Sequence, residues 1–120
     1  MDSAIVMRIA SAIARAEGYF IAGSRPQRNH NPGNLTRDLI GKGVGKDGMF
    51  VVYASSEDGW SALETQVRMM LNNTSNVYRS DMTIAQMAAA YTTTQQAEWA
   101  RNVSRALNAS PDTKLNEITA

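Results

Sequence analysis

Apolar residues recur with a helical period over the first seventeen positions. Ile5, Ile9 and Ile13 stand four apart, and Val6, Ala12 and Ala16 fall on the same side. That spacing places them on one face of a helix over residues 3–17. Asp2 or Ser3 can cap its start, and Gly18 ends it, because glycine accepts the left-handed conformation beyond a last turn. Met49-Phe50-Val51-Val52-Tyr53 is rich in aromatic and β-branched residues and reads as the one good strand. Ser55, with Asp58 three residues on, opens a second helix whose stripe is Trp60, Leu63, Val67, Met70 and Leu71. Residues 72–81 form a polar connection. Thr83 caps a third helix, with Gln86 at the reciprocal position and Ile84, Met87, Ala88 and Tyr91 on one face. Thr92-Thr93-Thr94 interrupts it. A fourth helix spans residues 95–107 on Trp99, Val103 and Leu107, and Ser110-Pro111 starts a short last helix carrying Leu115 and Ile118. These elements add up to an α+β fold, mostly helical, with one small β element.

Between the first helix and the strand, residues 22–48 are dense in turn formers. Gly41, Gly43, Gly45 and Gly48 follow one another without the G-x-x-x-x-G-K-[ST] order of a phosphate loop, so a flexible hairpin is the better reading. The 120 residues are the length of a single domain, here taken as 1–120. Hydrophobic residues at 43% and charged ones at 19% exclude an intrinsically disordered chain. The formal charge of +1 excludes nucleic-acid binding by bulk charge. No apolar stretch reaches the roughly 18 residues of a membrane span. Met1-Asp2-Ser3 does not open like a secretory signal. No cysteine and one histidine exclude a thiolate nucleophile and multi-histidine metal sites, and make a catalytic triad a poor reading. No metal ligands or organic cofactor are expected.

The carboxylates remain. Glu17 falls on the last turn of the first helix, where the helix dipole places roughly half a negative charge and disfavours ionisation. Tyr19, Phe20 and Ile21 beside it offer an apolar wall acting in the same direction. A carboxylic acid kept protonated near neutral pH is what glycosidic cleavage needs, since the leaving oxygen must receive a proton. The plain alternative is a solvated glutamate at a helix end. Glu57 or Asp58 could supply a second carboxylate, although acids also suit a helix N-terminus. Asn29, His30, Asn31 and Asn34 gather amides and one imidazole in a short loop, where amides can bind sugar hydroxyls and N-acetyl groups or close the turn on itself. Tyr19, Tyr53, Trp60 and Tyr91 are aromatic candidates for sugar stacking, with core packing the default for Trp60 and Tyr91.

Three segments together resemble a known pattern: Ile13-Ala14-Arg15-Ala16-Glu17-Gly18, then Arg28-Asn29-His30-Asn31-Pro32-Gly33-Asn34-Leu35, then Phe50-Val51-Val52-Tyr53-Ala54-Ser55-Ser56-Glu57-Asp58-Gly59-Trp60. They resemble a group of small lysozyme-like proteins, phage-borne or bacterial, that carry N-N-P-G-N-[LI] followed by F-x-x-[FY]-x-[ST]-x-E-x-G. Met82-Thr83-Ile84, Tyr91 and Trp99-Ala100-Arg101-Asn102-Val103 fit the end of that pattern, so the likeness runs over residues 5–118. His30 stands where the group commonly has asparagine. The resemblance implies a lysozyme-like α+β fold related to lytic transglycosylases, with Glu17 in the place of the general acid. Ala90-Tyr91 is similar to an alanine–tyrosine pair near the transglycosylase active site, although the residues that follow differ.

The expectation is therefore a muramidase acting on peptidoglycan glycan strands, with Glu17, Glu57 and Tyr91 as catalytic candidates and Asn29, His30, Asn31, Asn34 and Tyr53 as substrate-binding candidates. It would act in the periplasm or at the cell wall, as a monomer or as part of a virion or secretion assembly. A peptidoglycan-binding structural module without catalysis is the alternative, and a chitinase-like enzyme a third. Arg and Lys residues of the 25–46 region could meet the acidic peptide stems of murein.

Overall fold

The computed structural model describes residues 2–120. Helix α1 (Ser3–Ala16) is capped by Asp2, whose Oδ1 accepts from the Ala4 amide at 2.8 Å. Val6, Ile9 and Ile13 on its inner face are fully buried. Each contributes about 1.5–3 kcal/mol relative to an exposed side chain. The helix ends with Glu17 as its C-cap, and Gly18 follows at φ +82°. A short helix α2 (Arg25–Arg28) comes next, started by Ser24 with Pro26 in its first turn. The turn-rich composition of this stretch concealed it, since Ser-x-Pro is equally a turn signal.

The glycine-rich segment forms a hairpin. Strand β1 (Gly43–Asp47) pairs antiparallel with β2 (Phe50–Tyr53), Asp47 opposite Phe50 and Gly43 opposite Tyr53, with an irregularity between Gly43 and Gly45. Helix α3 (Ser56–Leu71) is capped by Ser55. Its Gly59 packs so tightly on the preceding loop that a Cβ there would lie 1.8 Å from the His30 carbonyl oxygen. Helix α4 (Ile84–Tyr91) carries the reciprocal Thr83/Gln86 capping box expected for it. Helix α5 (Gln96–Ala106) follows a left-handed Gln95 at φ +52°. No helix starts at Pro111. The carbonyls of Pro111 and Thr113 instead accept from the Ala85 and Ile84 amides at the start of α4, each at 2.9 Å. Only a 3-10 turn, Leu115–Glu117, is left at the end.

Two apolar clusters result. The larger joins α1, α3, α4, α5 and the last turn through Ile9, Ile13, Leu63, Met87, Val103 and Leu115. The smaller, Leu35, Val51, Tyr53 and Ala62, seats the hairpin on α3. The class is α+β, predominantly helical with a two-stranded sheet. No described helix is long and apolar enough to cross a membrane.

Candidate active site

A groove of about 510 Å³ runs between the helical body and the hairpin side of the molecule. Thr36, Arg37, Leu39, Met49 and Phe50 line one wall, and Ser75 to Tyr78 with Ala90 to Thr94 the other. Glu17 lies between them. The C-cap position of α1 turns its side chain toward α5, where the Trp99 indole Nε1 donates to Glu17 Oε2 at 2.6 Å. Trp99 is itself held by stacking on Tyr91, with ring centroids 4.9 Å apart. Tyr91 is tied down in turn by donation of its hydroxyl to the Gly33 carbonyl at 2.6 Å. Gly33 leaves room for this arrangement, since a Cβ would come within 3.0 Å of that hydroxyl and 2.7 Å of Leu63 Cδ1.

Burial pushes the Glu17 carboxyl above its ordinary value, and hydrogen bonds from Trp99 and then from the Asn34 amide pull part of the way back. The apolar surroundings come from Trp99, Tyr91 and Tyr78, not from the chain neighbours. Phe20 and Ile21 are exposed, and Tyr19 packs edge-on against Trp60 at 5.4 Å, outside the groove. Burial, with the negative charge of Glu17, raises Tyr78 to about 12. Tyr91 is raised above the usual tyrosine value, first by its burial.

Asn34 reaches the groove through a left-handed backbone at φ +51°, a conformation asparagine tolerates better than most residues. Its buried Oδ1 has no hydrogen-bond partner. Among the expected residues, then, Glu17, Asn34 and Tyr91 meet in one place.

The other five do not reach the groove. Asn31 is completely buried: its Nδ2 donates to the carbonyls of Leu35 and Val51 at 2.9 and 2.8 Å, and its Oδ1 accepts from the Leu35 amide at 2.9 Å. With its amide spent on the chain, it ties the loop to β2 and has nothing to offer a sugar. Asn29 is also buried, donating to Asp47 Oδ2 at 3.2 Å while its carbonyl accepts from the Tyr53 amide. His30 is exposed at φ +50° and does not line the groove, so its place is in the turn. Tyr53 is buried in the smaller cluster with its hydroxyl 3.3 Å from Asp38 Oδ1, a core residue and not a stacking platform. Glu57 is exposed on the first turn of α3 and does not line the groove. Its neighbour Asp58 faces Lys42 at 3.8 Å. Acids at a helix N-terminus suffice to explain both. Among the described residues, Glu17 is the one carboxylate lining the groove, and no three His, Asp or Glu side chains converge as metal ligands.

Trp99, Tyr78, Gln66 and Arg37 also belong to the site. The spacing of Trp99 on α5 marked it only as core. Tyr78 sits in a polar connection with no periodicity to single it out.

No protein-family model matches the chain, and no curated protein or solved structure matches it either.

Proposed function

We propose that the chain is a peptidoglycan-cleaving muramidase with Glu17 as its general acid. The observation that carries this reading is a half-buried carboxyl whose proton affinity burial raises, set in a groove otherwise lined by amides, hydroxyls, apolar side chains and the single guanidinium of Arg37. Asn34, Thr36, Gln66, Ser75, Asn76 and the three threonines after Tyr91 match the donor-and-acceptor character of saccharide hydroxyls and acetamido groups. On this reading the helical body with its small hairpin is a lysozyme-like arrangement. Its glycan strands are met in the periplasm or at the cell wall, reached as part of a phage particle or a secretion machine.

The chemistry needs one acid. Trp99 donates to Oε2, and burial raises the carboxyl's affinity for the proton it would deliver. That proton passes to the oxygen between N-acetylmuramic acid and N-acetylglucosamine as the bond from this oxygen to the muramic acid C1 breaks. With no second carboxylate lining the groove, the substrate's own acetamido oxygen stabilises the cation at C1. The Glu17 carboxylate then takes the proton of the C6 hydroxyl while that oxygen closes on C1. The product is a 1,6-anhydro-muramyl end, as in lytic transglycosylases.

The test is Glu17→Gln on purified sacculi. Loss of turbidity clearing by about 10²–10⁴-fold with an unchanged circular dichroism spectrum is expected. Mass spectrometry of wild-type products should show anhydro ends, one water lighter than reducing ends. Reducing ends would replace the transglycosylase step by hydrolysis. Clearing retained in Glu17→Gln would remove Glu17 from the role, and muropeptide binding without any product would make the chain a binding module.

A further inference from the structure

Positive charge on the groove wall is confined to a single side chain. Among the described residues, Arg37 is the one cation lining the groove, as Glu17 is the one carboxylate. Most other basic side chains are already occupied. Arg25 and Arg28 face Asp47, Lys42 faces Asp58, Arg68 faces Glu64 and Arg79 faces Asp81. Arg8 donates to main-chain carbonyls, as does Lys46. Arg37 is exposed and forms no ion pair among the described residues.

The backbone that presents it is held on both of the preceding residues. The Leu35 carbonyl accepts from the Val51 amide and from Asn31 Nδ2, each at 2.9 Å. The Thr36 carbonyl accepts from Lys46 Nζ at 2.7 Å. An exposed guanidinium carried on this held backbone at the groove wall, with no ion-pair partner among the described residues, is set to meet an anion brought by the ligand. Its planar fork suits a carboxylate in particular.

We propose that Arg37 selects the substrate by pairing with a carboxylate borne by the glycan, and so favours muramic-acid strands over neutral N-acetylglucosamine oligomers. This deepens the muramidase reading and rests on it. The carboxylate has two sources. Strands stripped of peptide carry a free lactyl carboxylate, whereas in intact strands the lactyl group is amidated and the charge lies on the stem peptide.

The experiment measures binding by calorimetry in the Glu17→Gln background, where the ligand survives. The probes are N-acetylglucosamine hexamer, peptide-stripped glycan strands and peptide-bearing strands. Addition of Arg37→Met should weaken binding of an anionic strand about tenfold and leave the hexamer unchanged. The preference should also shrink as salt is raised. The anionic probe that responds identifies the lactyl or the stem carboxylate. Equal weakening of all three probes, or no change in any, overturns the role of Arg37. Failure of every glycan to bind overturns it together with the saccharide reading. An Arg37-dependent preference in a chain whose wild type cuts nothing upholds the selection and removes only the catalysis. Arg37 is exposed, so the melting temperature of Arg37→Met should match its parent and separate these outcomes from misfolding.

Discussion

The Trp99 Nε1 to Glu17 Oε2 hydrogen bond joins residues 82 apart in the chain. It works against the burial around it: burial favours the protonated carboxyl, and the indole N–H favours the ionised one. Trp99→Phe keeps the aromatic surface beside Tyr91 and removes the donor. The Glu17 value should then rise further, and, on the proposed muramidase reading in which the protonated acid is the active form, the alkaline limb of the activity profile should move to higher pH. A limb that stays in place or moves down would show that the indole does not set the proton affinity of Glu17. Asn31 shows the opposite lesson at this scale. Its type suggested a sugar ligand, yet each atom of its amide serves the fold. Amide side chains suit both uses, and only the partner present decides between them.

Elements were legible where their signals were local. The α1 stripe, the Thr83/Gln86 box and the Ser55 cap depend on residues within a few positions of one another, and each appears at its expected place. β1 was read only as part of a flexible hairpin, because Gly43-Val44-Gly45-Lys46-Asp47 offers Val44 as its one strand former and pairs because β2 is beside it. Pro111 suggested a helix start, but the first amides of α4 take the carbonyls of Pro111 and Thr113. Gly59 is the sharpest case of contact overriding propensity. Within a helix, glycine to alanine ordinarily gains up to about 1 kcal/mol. Here the new Cβ would meet the His30 carbonyl oxygen at 1.8 Å. Gly59→Ala should instead destabilise the chain by about 1–3 kcal/mol in urea unfolding, through displacement of the 29–34 loop. A neutral or stabilising result would mean that this loop yields easily.

For the molecule as a whole, the raised Glu17 value is a statement about stability. The folded chain binds this proton more tightly than the unfolded chain, whose glutamate titrates near 4.5. The stabilisation it gives is therefore full at acid pH and is lost as pH rises from that value through the higher folded one. Glu17→Gln carries no charge at any pH. Its melting temperature relative to wild type should climb across that window and level off above it. A difference that stays flat with pH would show that Glu17 titrates as it does in the unfolded chain. On the muramidase reading the same substitution should gain stability relative to wild type as pH rises across that window while losing activity, the usual trade at a site that holds a strained group.

The sequence by itself revealed the mainly helical class and most helix starts, and it marked Glu17 as the candidate acid, because periodicity, caps and helix ends are written in neighbouring residues. Tertiary structure decided which polar groups face a cavity and which are spent on the chain. It grouped Glu17 with Asn34, Tyr78, Tyr91 and Trp99, and withdrew Asn29, His30, Asn31, Tyr53 and Glu57. Burial and hydrogen-bond partners are set by segments far apart along the chain, and no local pattern encodes which of them will meet.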